Sequence, residues 1–415
     1  MSNFIKELKI TKIRHLENIN IKLGNEKKHL ILTGKNGSGK TSVLEALNFI
    51  FTNLLKEYHD IEIFYENKDK KDIPKSLIRY VNKYKSCYPI FNKKNFYAKV
   101  EELDFIYAFF SATRINRTDK PKGINKVIFP KEKTDKLNQK FLQYIVNLKA
   151  ERSFAKDDND IEVVNKIDEW FNKFEGILKQ IFGDKDLEIK FDRKEYNFII
   201  YKKNREPFDF NGLSAGYSAI IDIVTELILK IETTKSKSFD CEGIILIDEV
   251  ENHLHVELQK NILPLLTTFF PNIQFIVTTH SPFILQSIEN SIVYDLERIE
   301  QLSGEKLSKA SYNDIIKNYF EVDSEFSQIL ENEIIKYESL VDKFDKSNTL
   351  TIEEEQELLK LDIKLDKYGK TKLKRVLIDE IKEDLNKASS YSTFKRWIVR
   401  DNKTLNKEFQ QYIGD

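Results

Sequence analysis

The chain has 415 residues, 40% apolar and 32% charged, enough for one large core with insertions or for two to three modest domains. Lysine plus arginine equals aspartate plus glutamate at 67 each, so overall charge argues for neither nucleic acid nor a membrane surface, and any such surface must come from local segregation. Cys87 and Cys241 stand in unrelated contexts, which suggests neither a disulfide framework nor a thiolate metal site; with no apolar leader and no run of about 18 apolar residues, the expectation is a cytoplasmic chain without membrane spans.

In chain order, Ile5 to Ile10, Ile19 to Leu23 and Leu30 to Leu32 read as short strands, the first two with apolar alternation. Arg14 lies between the first two, where a cation could touch nucleotide or simply be solvated. The third strand runs into Gly34-Lys35-Asn36-Gly37-Ser38-Gly39-Lys40-Thr41, the P-loop pattern, and an apolar helix over 42–50 follows. Glycines at such spacing let successive N–H groups turn inward, so Asn36, Gly37, Ser38 and Gly39 would cradle phosphate oxygens at a helix N-terminus. Lys40 would reach the β- and γ-phosphates, and the Thr41 hydroxyl would sit on Mg2+.

Phe51 to about Asn95 reads as an inserted, charged and aromatic stretch with Lys68, Lys70, Lys71 and Lys75. Phe96 to Val100 and Phe105 to Phe110 read as strands, and Ser111 to Arg117 follows the second, where open α/β sheets put ligand-binding loops. From Arg114 to Lys140 nine basic residues face three acidic ones, which suits either phosphates of DNA or RNA or a solvated basic face. Leu137 to Ile181 reads as helical, with Ile167, Trp170, Phe171, Phe174, Ile177, Leu178 and Ile181 forming one apolar stripe; without sustained heptads, no long coiled-coil arm is expected. Leu187 to Phe191 and Asn197 to Tyr201 form a predicted hairpin. Leu213-Ser214-Ala215-Gly216 then opens an apolar helix over Ser218 to Ile231, and the Ser214 hydroxyl, the Gly216 amide and the helix N-terminus offer a second anion site.

Ile244 to Ile247 is an apolar strand ending in Asp248-Glu249. Burying four aliphatics and then presenting paired carboxylates suits Mg-nucleotide chemistry: Asp248 on the metal, Glu249 polarising an attacking water. His253 and His255, at i and i+2 without cysteine partners, make a poor ligand pattern and read as part of the nucleotide-site loop. Gln274 to Thr279 is a further buried strand, ending at His280, which can donate to a γ-phosphate. Asp248 lies 34 residues after Ser214, and His280 lies 32 after Asp248. Beyond about Glu300 the sheet pattern is expected to stop. Glu321 to Asp366 carries fourteen acids against five lysines, with a helical-hairpin stripe of Ile329, Ile334, Leu340, Val341, Phe344, Ile352, Leu358, Leu361 and Leu365, whereas 367–411 carries twelve basic residues against six acids. Such a tail is either a self-contained cap or a partner-docking surface.

P-loop, Leu-Ser-Ala-Gly-Tyr, Ile-Asp-Glu and Thr-His-Ser-Pro, in that order, resemble an SMC-like ABC-type ATPase. Gly34 to Thr41, Ile247 to His255 and Thr278 to Pro282 look most like the overcoming-lysogenisation-defect (OLD) ATPases and the related AAA-family ATPases of Septu, PARIS and retron phage-defence systems. The resemblance implies an α/β P-loop NTPase fold of ABC ATPase type: a mixed central sheet with flanking helices, antiparallel N-terminal strands, insertions at 51–95 and 118–185 within an ATPase domain over 1–300, and a helical extension over 301–415. It also implies a head-to-tail homodimer or higher homo-oligomer, in which Lys40, Thr41, Asp248, Glu249 and His280 of one copy hold ATP and Mg2+ while Ser214 and Gly216 of another close on the γ-phosphate. No glutamine occurs between Thr41 and Gln139, so Ser111 to Arg117 would replace the Q-loop. No early Glu-Gly or later Asp-x-Asp follows Asp295, so an intrinsic nuclease is not expected, and a separately encoded nuclease or toxin effector is implied. The expected function is slow ATP hydrolysis that senses or regulates that effector in anti-phage defence. A DNA-repair or chromosome-maintenance ATPase, or a nucleotide-gated scaffold with little hydrolysis, are the alternatives.

Overall fold

The computed structural model describes residues 3–54, 87–93, 105–114, 118–129, 136–312, 314–315, 328–347 and 350–366. The expected strand at Phe96 to Val100, the lysines from 68 to 75 and the basic tail 367–411 lie outside them, as do residues 115–117 and 130–135 of the basic segment.

The chain forms two compact units, Met1–Tyr319 and Phe320–Asp415. In the first, β1 (Ile5–Ile13) and β2 (Leu16–Lys22) pair antiparallel as their alternating sequence predicts. β3 (His29–Thr33) follows and leads through the P-loop into α1 (Lys40–Leu54). β4 (Cys87–Phe91), inside the stretch read as an insertion, pairs with the other edge of β1 to complete a three-stranded antiparallel sheet. β5 (Phe105–Phe110) belongs to the main sheet.

Helices α2 (Phe141–Asp157) and α3 (Ile161–Phe182) come next. Asp160 caps α3 by accepting from the Val163 N–H, and Gly183, left-handed at φ 60°, ends it; a side-chain cap of this kind contributes about 1 kcal/mol. The predicted stripe on α3 is core: Phe174 packs on Phe141, Phe210 and Trp170 at ring separations of 5.2, 6.1 and 5.4 Å. β6 (Glu188–Asp192), β7 (Asn197–Tyr201) and the short β8 (Phe208–Asp209) form a small antiparallel sheet.

α4 (Ala215–Glu232) is buried all round from Ala219 to Ile231, as a helix apolar on every face must be. It carries three buried charges. Glu226 accepts from the backbone N–H groups of Leu137 and Asn138 at 2.6 and 2.8 Å and pairs with Lys230, while Asp222 accepts from the Asn138 side chain. β9 (Glu242–Ile247), α5 (Val256–Phe269), β10 (Ile273–Thr278), α6 (Pro282–Leu285), β11 (Ser291–Asp295), β12 (Glu300–Ser303) and α7 (Gly304–Ser308) complete the unit.

The main sheet has the order β12-β11-β3-β10-β9-β5, parallel except for the edge strand β12. Its central strands are buried on both faces, which is why they read as continuous aliphatic runs. Leu30, Leu32, Ile244, Leu246 and Ile276 share one core with Val43, Leu44 and Leu47 of α1 and with Leu8, Ile10, Ile19 and Ile21 of the antiparallel sheet. Gln274 joins the two sheets: its Oε1 accepts from the Ile5 N–H at 2.8 Å, and its Nε2 donates to the Ile5 and Lys28 carbonyls. The sheet pattern therefore does not stop at Glu300, because residues 300–303 pair with β11 as its antiparallel neighbour.

In the second unit, α8 (Gln328–Ser347) and α9 (Ile352–Asp366) form a helical hairpin around Tyr337, Leu340, Leu358 and Leu361, with Val341 and Leu365 against them. Ile329 and Ile352, expected in that stripe, are instead 73% and 75% exposed.

His29, at the start of β3, accepts from the Phe275 N–H through Nδ1 at 3.0 Å, and burial lowers its pKa to about 3. The unfolded chain takes this proton below about 6.5 and the folded chain only near 3, so stability should fall as pH drops through that window, by up to about 1.4 kcal/mol per pH unit. Denaturant titrations at pH 7 and 4.5 should show this component lost in His29→Asn, whose amide oxygen can replace Nδ1 as acceptor without titrating.

Candidate nucleotide site

The strand order brings together residues far apart in sequence. Because β10 lies between β3 and β9, its C-terminal end falls between the P-loop and the carboxylates after β9, which is the location of His280. Backbone bonds lock the strand ends: Asp248 N–H to the Phe110 carbonyl, Thr279 N–H to the Leu32 carbonyl, and Val250 N–H to the Thr278 carbonyl.

In the P-loop, Gly37 and Gly39 have φ of 87° and 97°, and a Cβ at Gly39 would meet the Leu16 side chain at 2.8 Å. The β1–β2 turn thus presses on the loop, and only glycine fits there. That same turn holds Arg14, exposed at φ 54°. The Lys40 ammonium donates to the Gly34 and Lys35 carbonyls at 2.8 and 3.0 Å. Burial pulls its pKa down, and Glu249, Glu251, Asp248 and Asp295 act against that. Lys35 is anchored by Glu297, which accepts from both its backbone N–H and its ammonium.

Thr41 Oγ1 lies 3.2 Å from Asp248 Oδ1, as a shared oxygen site for Mg2+ requires. Asp248 Oδ1 also accepts from the Thr278 hydroxyl at 2.6 Å, and that hydroxyl accepts from the Glu249 N–H at 2.7 Å. Glu249 has φ 44°, a conformation that costs a non-glycine residue about 1–2 kcal/mol and so must be held by its surroundings. His280 follows; its N–H donates to Glu251. Burial, then Lys40, lowers the pKa of His280, so near neutral pH it carries a neutral ring with one N–H to donate.

Ser38, Lys40, Thr41, Asp248, Glu249 and His280 therefore meet at one end of the sheet, with Asn36, Gly37 and Gly39 in the loop above. Ser214 and Gly216 make none of these contacts. Ser214 is exposed at the N-terminus of α4, and its side chain caps nothing there. Gly216 is pressed on the loop after β9: a Cβ would meet the His253 carbonyl at 2.8 Å. His253 and His255 are both exposed, and no cluster of three metal-ligating side chains occurs among the described residues.

Three contributors are missed by the sequence reading. Thr278 and Glu251 stand inside the phrases already singled out, where only the strand register shows that they point at Asp248 and His280. Arg114 was placed both in the loop expected to replace the Q-loop and in the basic segment, without a role of its own; it is 4% exposed and turned inward. Its guanidinium donates to the Ser111, Asp248, Glu249 and Val250 carbonyls at 3.2, 2.7, 2.8 and 3.3 Å. It cannot contact nucleic acid from there.

Gly216→Ala should destabilise the chain by about 1–3 kcal/mol, since the carbonyl it strikes belongs to backbone and cannot swing aside. Thermal unfolding would register this, and an unchanged melting temperature would mean that the loop yields without cost.

Residues 82–286 match the family model described as "AAA domain, putative AbiEii toxin, Type IV TA system". The retron Ec83 probable ATPase of Escherichia coli is 32% identical over 138 residues, covering 32% of this chain and 25% of that protein. The Septu protein PtuA of Bacillus thuringiensis is 26% identical over 380 residues, covering 87% of this chain and 93% of that protein. The aligned part thus spans a quarter of the first relative and nearly all of the second. An SMC head solved with the C-winged helix domain of ScpA aligns at 13% identity with a TM-score of 0.38, over 74% of this chain and 100% of that one, a likeness too loose to add to the topology itself. A P-loop after β3 and paired carboxylates after β9, on either side of β10, together with the likeness to these relatives, support an ABC-like ATPase similar to those of Septu and retron phage-defence systems.

Proposed function

We propose that the chain binds and slowly hydrolyses ATP, pairs head-to-tail with a second copy around it, and so regulates a separately encoded effector in anti-phage defence. The observation that carries the hydrolytic part is the stance of Glu249. Its backbone is fixed on both sides, by Thr278 at the N–H and Arg114 at the carbonyl, beside the Thr41–Asp248 oxygen pair.

Thr41 and Asp248 fit Mg2+, which when bound would neutralise phosphate charge. Lys40 would leave the Gly34 and Lys35 carbonyls for the β- and γ-phosphates. Glu249 would take a proton from water as its oxygen bonds to the γ-phosphorus and the bond to the β–γ bridging oxygen breaks, releasing ADP and phosphate. The neutral His280 ring would donate its N–H to the γ-phosphate. Ser214 and Gly216 of a second copy would close on the same group with a free helix N-terminus.

Glu249→Gln should keep ATP binding, accumulate an ATP-held dimer and lose phosphate release by on the order of a hundredfold or more, whereas Lys40→Ala should lose binding. Size-exclusion chromatography with ATP and a phosphate-release assay separate these outcomes. Wild-type turnover by Glu249→Gln would sink the assignment; a wild-type dimer that forms without phosphate release would favour the nucleotide-gated scaffold.

The name Septu PtuA, borne by a relative that aligns over most of this chain, supports the defence role. The second unit supports a protein partner. Lys336, Lys343 and Lys364 pair within the hairpin to Glu357, Glu354 and Glu333, so three of the five lysines in 321–366 are already spent against fourteen acids. The acidic excess of 321–366, with Ile329, Ile335 and Ile352 exposed on the hairpin, suits a basic effector with an apolar contact better than nucleic acid. Nucleic-acid contact would fall to the basic segment, where Lys120, Lys122, Lys126 and Lys136 are exposed. Deleting residues 320–415 should abolish capture of the protein encoded beside this chain while ATP binding survives; retained capture in a pull-down would refute the docking role.

A further inference from the structure

The segment after β5 is fastened to two parts of the ATPase unit. Arg114 holds the consecutive carbonyls of Asp248, Glu249 and Val250, and the Asn252 side chain donates back to the Ala112 carbonyl at 2.9 Å. Burial works against the charge of Arg114, and the carboxylates of Asp222, Glu251, Asp248 and Glu249 favour it. Thr118 meets the Asn211 side chain at 3.1 Å, just before Leu213-Ser214-Ala215-Gly216. Glu249 itself sits at φ 44°, so its conformation depends on what grips its two peptide groups.

A guanidinium presents five donors in a rigid fork, and here that fork spans three successive carbonyls. A lysine has no such plane and could not hold all three. The Arg114 Nε is buried with no hydrogen-bond partner among the described residues, so the side chain is placed for its terminal nitrogens, at a desolvation cost that simple packing would avoid. A solvated basic residue would show none of this.

We propose that Arg114 is a positioning residue for hydrolysis: by clamping the Asp248, Glu249 and Val250 carbonyls, it sets the backbone from which Glu249 would reach the attacking water. Arg114 touches no substrate in this scheme and acts through Glu249. The inference rests on the hydrolytic reading above.

The test uses the full-length chain. Arg114→Lys should lower kcat by on the order of a hundredfold, as expected for a misplaced reacting group, while the ATP dissociation constant and melting temperature stay close to wild type. Arg114→Ala should recover part of its kcat in low-millimolar guanidinium, which can re-enter the cleared space. Asn252→Ala, which removes the other bond between this loop and the turn after Glu249, should lower kcat several-fold at unchanged ATP affinity, and it decides the matter if the Arg114 variants do not fold. Wild-type kcat in Arg114→Lys or in Asn252→Ala overturns the inference and leaves the hydrolytic reading standing. A parallel loss of affinity, kcat and melting temperature also overturns it, since that marks a structural role alone. Absence of phosphate release from the wild-type chain would bring down the hydrolytic reading, and this inference with it.

Discussion

The structure turns on the hydroxyl of Thr278, which donates to Asp248 and accepts from the N–H of Glu249. One side chain on β10 thereby fixes both the carboxylate suited to metal and the backbone of the carboxylate suited to water. It can do so only because β10 runs between β3 and β9 in a register that puts Val277 opposite Ile247 and Thr278 opposite Leu32. A slip of one residue would turn the hydroxyl to the other face of the sheet and leave the strained Glu249 turn without its anchor. Burial of the aliphatics in β3, β9 and β10 is therefore more than core formation, since it sets the register on which the site geometry depends.

Charge at this end of the sheet is unevenly supplied. Asp248, Glu249, Glu251 and Asp295 all act on one buried ammonium, Lys40, and three of them also act on Arg114. Desolvation opposes the charged state of both cations, and the surrounding carboxylates oppose that effect. A site with more carboxylates than cations suits a ligand that arrives with its own divalent cation, as Mg-ATP does, better than a bare anion, which the carboxylates would repel.

How much of this could be read from sequence follows from how local each signal is. The P-loop, the Ile-Asp-Glu strand and the helix after Gly216 are short contiguous patterns whose chemistry and secondary structure coincide, and the structure has each at the expected place. The particular role of Arg114 was hidden for the opposite reason: its loop could be singled out, but in sequence it opens a basic segment, while its partners lie about 135 residues away on another strand end. Gln274 was similarly silent, since a glutamine opening an aliphatic strand gives no sign that it joins two sheets. Glu300 to Ser303 lack apolar alternation because they form an exposed edge strand, and an edge strand need not carry the buried-strand signature.

The remaining asymmetry concerns α4. From Ala219 to Ile231 it is enclosed, and its buried charges are matched within the chain by Lys230, Asn138 and backbone donors. Its first turn is different. Ser214 is exposed and does not cap its own helix, so the orphan N–H groups of that turn are left to solvent or to a ligand. Gly216, pressed on the His253 carbonyl, keeps this end close to the loop that follows Glu249, yet no hydrogen bond joins Ser214 or Gly216 to the P-loop of its own chain. An anion-seeking helix end and a phosphate cradle that do not meet within one copy can meet between two copies related by a two-fold axis, because such an axis brings each feature opposite its complement twice. In the proposed pairing the phosphate completes both half-sites at once, and the one uncapped end of an otherwise buried helix becomes the part that reports its presence to the core.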